Sequence, residues 1–159
     1  MLNFFKTNKI LILVTLFFIV LFFLYLENQS SVDELENEDI NFQVCIRENC
    51  FNIEIADDPK KRKIGLMNRN YLGPETGMLF IFEKMGVYKF WMKNTLIPLD
   101  MIWVDSDKKI IYIEKNTQPC KVEKCELFGP NEKAKYVLEI NGGLAEKNGI
   151  KVGDEIELR

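Results

Sequence analysis

Residues 41–55 read NFQVCIRENCFNIEI, and the pattern within them decides the fold class. Phe42 and Val44, then Phe51, Ile53 and Ile55, put apolar side chains at every second position, the period of a strand with one buried face. Between the two runs the four residues IREN form a tip flanked by Cys45 and Cys50. The spacing predicts an opening hairpin in which the two cysteines face each other across the mouth, at a separation suited to a bridge.

Downstream, Asp57 or Asp58 is placed to cap a helix whose first residue is Pro59, with Ile64, Leu66 and Met67 on its apolar side and its end near Asn68. Two aromatic-rich runs follow, MLFIF at 78–82 and VYKFWM at 87–92, and both have the composition of buried strands. Pro98 breaks the pattern. Leu99 to Val104 and Ile110 to Ile113 then flank Asp105, Ser106, Asp107 and Lys108, which is turn chemistry between two strands. Asn116 to Lys133 lacks periodicity and reads as a long surface loop. Tyr136 to Ile140 is a further strand, Leu144 to Asn148 a short helix, and Glu155 to Leu158 a last strand after a turn at 151–154. The expected architecture is mainly β (α+β): a compact antiparallel sandwich or barrel with one or two short helices.

Upstream of the hairpin, Ile10 to Leu26 reads ILILVTLFFIVLFFLYL, 17 residues without a charge, Gly or Pro. As a helix it spans roughly 25 Å, enough to cross a bilayer with its backbone bonded internally. Lys6 and Lys9 precede it and six acidic residues follow before the next basic one, Arg47, so the basic flank is expected in the cytoplasm. The division this predicts is a cytoplasmic N-terminus at 1–9, a transmembrane helix or signal anchor at 10–26, an acidic linker at 27–40 and an extracytoplasmic domain at 41–159. A cleaved signal peptide is the competing reading and exports the same domain, but LYLENQSSV offers no small-x-small cleavage site. Removing Lys6 and Lys9 from the 21 basic residues leaves 19 against 24 acidic ones, so the exported part carries about −5, which disfavours nucleic acid as a partner.

The four cysteines fall into two pairs with four residues between partners, Cys45 with Cys50 and Cys120 with Cys125. Outside a membrane an even count reads as disulfides, and local bridges are expected among the three possible pairings. Zinc is the weaker reading, because the chain contains no His. Met67, Met78, Met92 and Met101 are read as core filling rather than as a thioether copper site, so neither metal nor cofactor is expected.

Three ordered strings carry a family resemblance: GLM at 65–67, GMLF at 77–80 and FWMKNTLIPLD at 90–100, with VLEI at 137–140 and GIKVGD at 149–154 in the tail. Together they resemble the family called domain of unknown function 192 over nearly all of 41–159. The resemblance implies a compact, mainly antiparallel β fold similar to a jelly roll, behind a signal or anchor segment. It implies no activity.

The FWMKNT run is the candidate site. Lys93, Asn94 and Thr95 put a cation, an amide and a hydroxyl at the end of an aromatic strand, where they can line a pocket. Alternation points Trp91 away from Phe90 and Met92, toward a sugar ring or a peptide, with a core position as the equal alternative. The structural reading of the run ranks ahead of the binding one: Phe90 and Met92 pack inward, Lys93 and Asn94 close a loop through backbone hydrogen bonds, and Asp100 pairs with Lys93. Without His, catalysis would fall to carboxylates, Lys, Tyr, Ser or Thr, and Asp100 with Lys93 is the pair to test; a carboxylate beside a lysine is held ionised, which suits binding better than proton transfer. The sequence therefore predicts a membrane-anchored binding or interaction module for a small molecule, glycan or protein, contacted by Trp91, Lys93, Asn94, Thr95, Asp100 and the loop around Cys120. A cell-envelope hydrolase or transferase using Asp100 and Lys93 is the alternative.

Overall fold

The computed structural model describes residues 16–24 and 42–159. The chain divides between Ile40 and Asn41. In the first part, residues 16–24 are helical and their side chains exposed. Among the described residues no helix is long and apolar enough to cross a membrane. The rest of the expected span, 10–15 and 25–26, the N-terminus at 1–9 and the linker at 27–40 lie outside the described residues.

In the second part, β1 (Gln43–Ile46) and β2 (Asn49–Ala56) form the expected hairpin. Its turn is shorter than the sequence suggested. Ile46 pairs with Asn49, leaving Arg47 and Glu48 as a two-residue tip with Arg47 at φ 56°, the left-handed geometry that tight hairpins require. Cys45 and Cys50 are thus direct cross-strand partners, bridged at a Cα separation of 4.0 Å. The helix α1 (Pro59–Ile64) starts where Asp58 accepts the Lys61 amide at 2.8 Å. It stops at Ile64, not near Asn68, because Gly65 turns to φ 48° against Phe80, where even a Cβ would stand 3.1 Å from the ring. Leu66 is then buried from a loop rather than from the helix.

The remaining elements are β3 (Thr76–Gly86), β4 (Leu99–Val104), β5 (Ile110–Thr117), β6 (Ala134–Asn141), the one-turn helix α2 (Leu144–Lys147) and β7 (Ile156–Leu158). All seven strands join one sheet in the order β5-β4-β6-β3-β2-β1-β7, curled into a half-barrel. Of the two expected forms, sandwich or barrel, the curled single sheet is nearer the barrel. Every pairing is antiparallel except β2 with β3, where α1 and the following loop provide the crossover that parallel neighbours need. The curl brings the outer strands together: Ile110 donates to the Asp154 carbonyl at 2.8 Å and Ile156 to that of Lys108 at 2.9 Å.

A curled sheet has two faces to cover, and both are apolar here. Inside lie Val44, Ile46, Leu79, Ile102, Leu138 and Ile140. Outside lie Met78, Phe80, Met101, Trp103 and Val137, covered by Leu66, Met92 and Phe90 from irregular segments. β4 is buried along its whole length, as a strand covered on both faces must be. The 87–92 run was expected to be a strand and is not one. It crosses the outer face, held by a bridge between Phe90 and Phe128 and by the Cys120 amide on the Met92 carbonyl, while the Trp103 indole N–H donates to the Tyr88 carbonyl at 2.8 Å.

Candidate functional site

The segments that cover the outer face do not close over it completely. They leave an open-mouthed cleft of about 180 Å³. Phe80 and Phe82 of β3 and Tyr88, Phe90 and Trp91 of the crossing segment wall it. The rings support one another: Phe90 meets Phe80 edge to face at 4.8 Å, and Phe82 stacks on Tyr88 at 3.5 Å. Such walls stay fixed without a ligand.

Glu139 reaches the same cleft from β6. It pairs in register with Met78 on β3 and Met101 on β4, both buried in the outer layer, so the carboxyl rises between two thioether side chains. Glu139 is 5% exposed, and among the described residues no hydrogen bond or ion pair reaches its carboxyl group. Burial alone pushes its pKa up to about 8. An acid so placed holds its proton at neutral pH and presents one O–H donor and one carbonyl acceptor. Sequence reading passed over this residue. Its signal is a lone charge in the otherwise apolar strand YVLEI, at the same parity as Val137.

The basic side chains at the cleft are Arg62, Lys63 and Lys89. The Arg62 guanidinium lies 5.4 Å from the Phe82 ring centre and donates to the carbonyls of Asp57 at 2.6 Å and Ile81 at 2.8 Å. Lys89 donates to the Gly129 carbonyl and to Asn131 Oδ1.

The residues singled out from sequence separate into two groups. Trp91, 44% exposed, and Thr95, buried, both line the cleft. Lys93 sets its ammonium 5.4 Å from the Trp91 ring centre, and its backbone bridges to Cys120, whose amide donates to Met92 at 3.2 Å. The Cys120–Cys125 bridge is formed, with Cα atoms 5.8 Å apart. Trp91, Lys93, Thr95 and the Cys120 loop therefore share one region. Asn94 has φ 58° and is exposed, and its carbonyl accepts from the Asn68 amide at 2.7 Å, a turn role.

Asp100 lies elsewhere. Its carboxylate accepts three backbone amides, Asn116 at 2.6 Å, Gly143 at 2.9 Å and Ala145 at 2.6 Å, and so ties β4 to the end of β5 and the start of α2. The expected ion pair between Lys93 and Asp100 does not form, because strand alternation turns Asp100 away from the face that carries the cleft. Among the described residues no three His, Cys, Asp or Glu side chains gather as a metal site. Met78, Met92 and Met101 pack in the outer core.

The family DUF192, described as Uncharacterized ACR, matches residues 42–158. No curated protein matches the chain significantly. Among solved structures, a candidate transcription regulator from Sinorhizobium meliloti 1021 is 35% identical, with a TM-score of 0.66 over 74% of this chain and 91% of its own. A protein of unknown function from Novosphingobium aromaticivorans DSM 12444 is 38% identical, with a TM-score of 0.64 over 73% of this chain and 82% of its own.

Proposed function

The chain belongs to the DUF192 family, and from that premise we propose that it is a membrane-anchored, extracytoplasmic domain that binds a small molecule with an apolar or aromatic body in the cleft between Trp91, Phe82 and Glu139. The observation that carries this reading is the buried carboxyl of Glu139 opening, without a partner, into an aromatic cleft. Buried polar groups are normally paired, and a carboxyl that opens on the cleft with no protein partner suits a ligand atom. Aromatic walls with one or two convergent polar groups are the usual construction of a small-molecule site. Glu139 and Thr95 supply the polar groups here, and Asp100, already holding three amides, is left out of the site.

The apolar run at 10–26, its acidic outer flank and the two disulfides support the placement outside the membrane. A charge of about −5 on the exported part gives no support to nucleic acid as the partner. Two measurements test the reading. Protease access to the C-terminus in intact cells, or thiol-reagent labelling of a cysteine introduced there, reports topology, and a cytoplasmic C-terminus overturns the exported placement. Thermal melts against a panel of aromatic and aliphatic small molecules report binding, with stabilisation expected in the native protein and lost in Trp91→Ala. No stabilisation by any member of the panel overturns the cleft as a binding site.

A further inference from the structure

Resting on the reading of the cleft as a ligand site, we infer that its ligand is a small organic anion, with the charged head at Arg62, Lys63 and Lys89, the apolar body between the aromatic walls, and an uncharged oxygen of that body on the Glu139 carboxyl. The charges around the cleft point this way. Three basic side chains and one acid line it, and the acid is buried at its floor. Arg62 and Lys89 hold neutral carbonyl and amide oxygens, and none of the ion pairs among the described residues includes Arg62, Lys63 or Lys89. Neighbouring Lys61, by contrast, is paired with Asp57 at 2.9 Å. The rim therefore keeps positive charge that no neighbouring carboxylate takes up as a partner, and an anion is the group such a rim draws in.

Glu139 does not supply the opposite preference. Its neighbours across the sheet, Met78 and Met101, do not titrate, and the titratable groups lining the same cleft are Arg62, Lys63, Tyr88 and Lys89. With its pKa pushed up to about 8 by burial, the carboxyl is neutral at pH 7 and donates its proton to an acceptor oxygen. Above that pH it ionises, loses the donor and repels an anion. A cationic ligand would show the reverse dependence, because it binds the ionised form.

The test uses the full-length protein in lipid nanodiscs and two matched probes, 4-methoxybenzoate and (4-methoxybenzyl)trimethylammonium, followed by tryptophan fluorescence. The expected result is saturable binding of the anion in preference to the cation. Its affinity should fall about tenfold from pH 7 to pH 9, the fraction of Glu139 left protonated across a pKa near 8. Glu139→Gln, which keeps a donor and cannot ionise, should remove that pH dependence. The double variant Lys63→Gln/Lys89→Gln changes exposed side chains, gives up the Lys89 bonds to Gly129 and Asn131, and should weaken the anion severalfold while the protein still melts cooperatively, so it carries the test should the Glu139 variant fail to fold. Tighter binding of the cation, rising with pH, overturns the anion assignment and leaves the cleft a binding site. A pH dependence that survives in Glu139→Gln, or lysine variants that bind the anion as the native protein does, also overturns the assignment. Failure of both probes to bind saturably overturns the assignment and the ligand site together.

Discussion

Replacing Glu139 with Gln gives the sharpest test of how the outer layer is built, because the expected effect is a change in the shape of the stability curve with pH. The folded protein holds the Glu139 proton up to about pH 8, whereas the unfolded chain releases it near the ordinary value of 4.5. Between those limits the folded state binds the Glu139 proton and the unfolded one does not, so the Glu139 contribution to stability is greatest below pH 4.5, falls as pH rises toward 8 and levels off above it. Raising the pKa from 4.5 to about 8, at about 1.4 kcal/mol per pH unit, gives a loss of about 5 kcal/mol across the window. The chain contains no His, so no imidazole titrates inside that window. The carboxylates held low by their partners, Glu54 by the Arg69 hydrogen bonds and Glu157 by Arg159, titrate on the acid side of it. Urea unfolding of the oxidised protein from pH 5 to 9, followed by the fluorescence of buried Trp103, should show the decline in the native protein and a much flatter profile in Glu139→Gln. The variant should be the more stable of the two at pH 8.5. Parallel curves for the two proteins would refute the claim that Glu139 is desolvated and unpaired.

Three further outcomes follow from named contacts. Asp100→Ala strands three amides that the carboxylate now accepts, at 2.6, 2.9 and 2.6 Å, of which that of Ala145 is buried and the other two part-buried, and at about 1–3 kcal/mol for a buried orphan the loss should be about 2–3 kcal/mol in denaturant melts. A loss below about 1 kcal/mol would show that those amides find other partners. Removing the hairpin bridge with Cys45→Ala/Cys50→Ala reopens a loop of sequence separation 5 and should cost about 2 kcal/mol, read as a shift in the urea midpoint without a change in slope. Gly129→Ala puts a Cβ 2.8 Å from the Trp103 ring and 3.0 Å from the Tyr88 carbonyl at φ 125°. It should lower the melting temperature and disturb Trp103 fluorescence, and a neutral result would contradict the packing of Gly129 on the indole.

Most of the fold was legible because most of it is local. The hairpins β1–β2 and β4–β5 and the helix start at Pro59 are written in residues a few positions apart, where alternation, turn chemistry and a capping Asp act directly. The errors came from pairings that depend on distant residues. VYKFWM has a strand's alternation, and Phe90 and Met92 do point inward, yet almost none of its backbone enters a ladder because the outer face it lies on is already a completed sheet. Nothing within β2 or β3 announces that they run parallel; that follows from α1 crossing over the sheet edge, a step whose length the early stop at Gly65 sets. The choice between sandwich and barrel was left open for the same reason. A second sheet is unnecessary when one sheet curls until β5 touches the approach to β7.

The site was half legible, and the division follows strand parity. FWMKNTLIPLD is contiguous, so Lys93 and Asp100 look like neighbours, but Pro98 begins a new strand in which Leu99, Met101 and Trp103 face the cleft's layer and Asp100 faces the other. The same rule would have found Glu139. In YVLEI the parity that buries Val137 on the outer face commits Glu139 to that face too, where its cross-strand neighbours are Met78 and Met101. A sequence that merely needed a filled outer layer would place a Leu or Met at this position and avoid the cost of burying an acid. The acid persists where the covering segments leave an opening, and the aromatic walls stand around that opening. The charge in the strand and the gap in its cover are therefore one feature, and it should be the first thing to disappear functionally in Glu139→Leu, a variant expected to be more stable than the native protein at pH 8.5 and unable to hold a polar ligand atom.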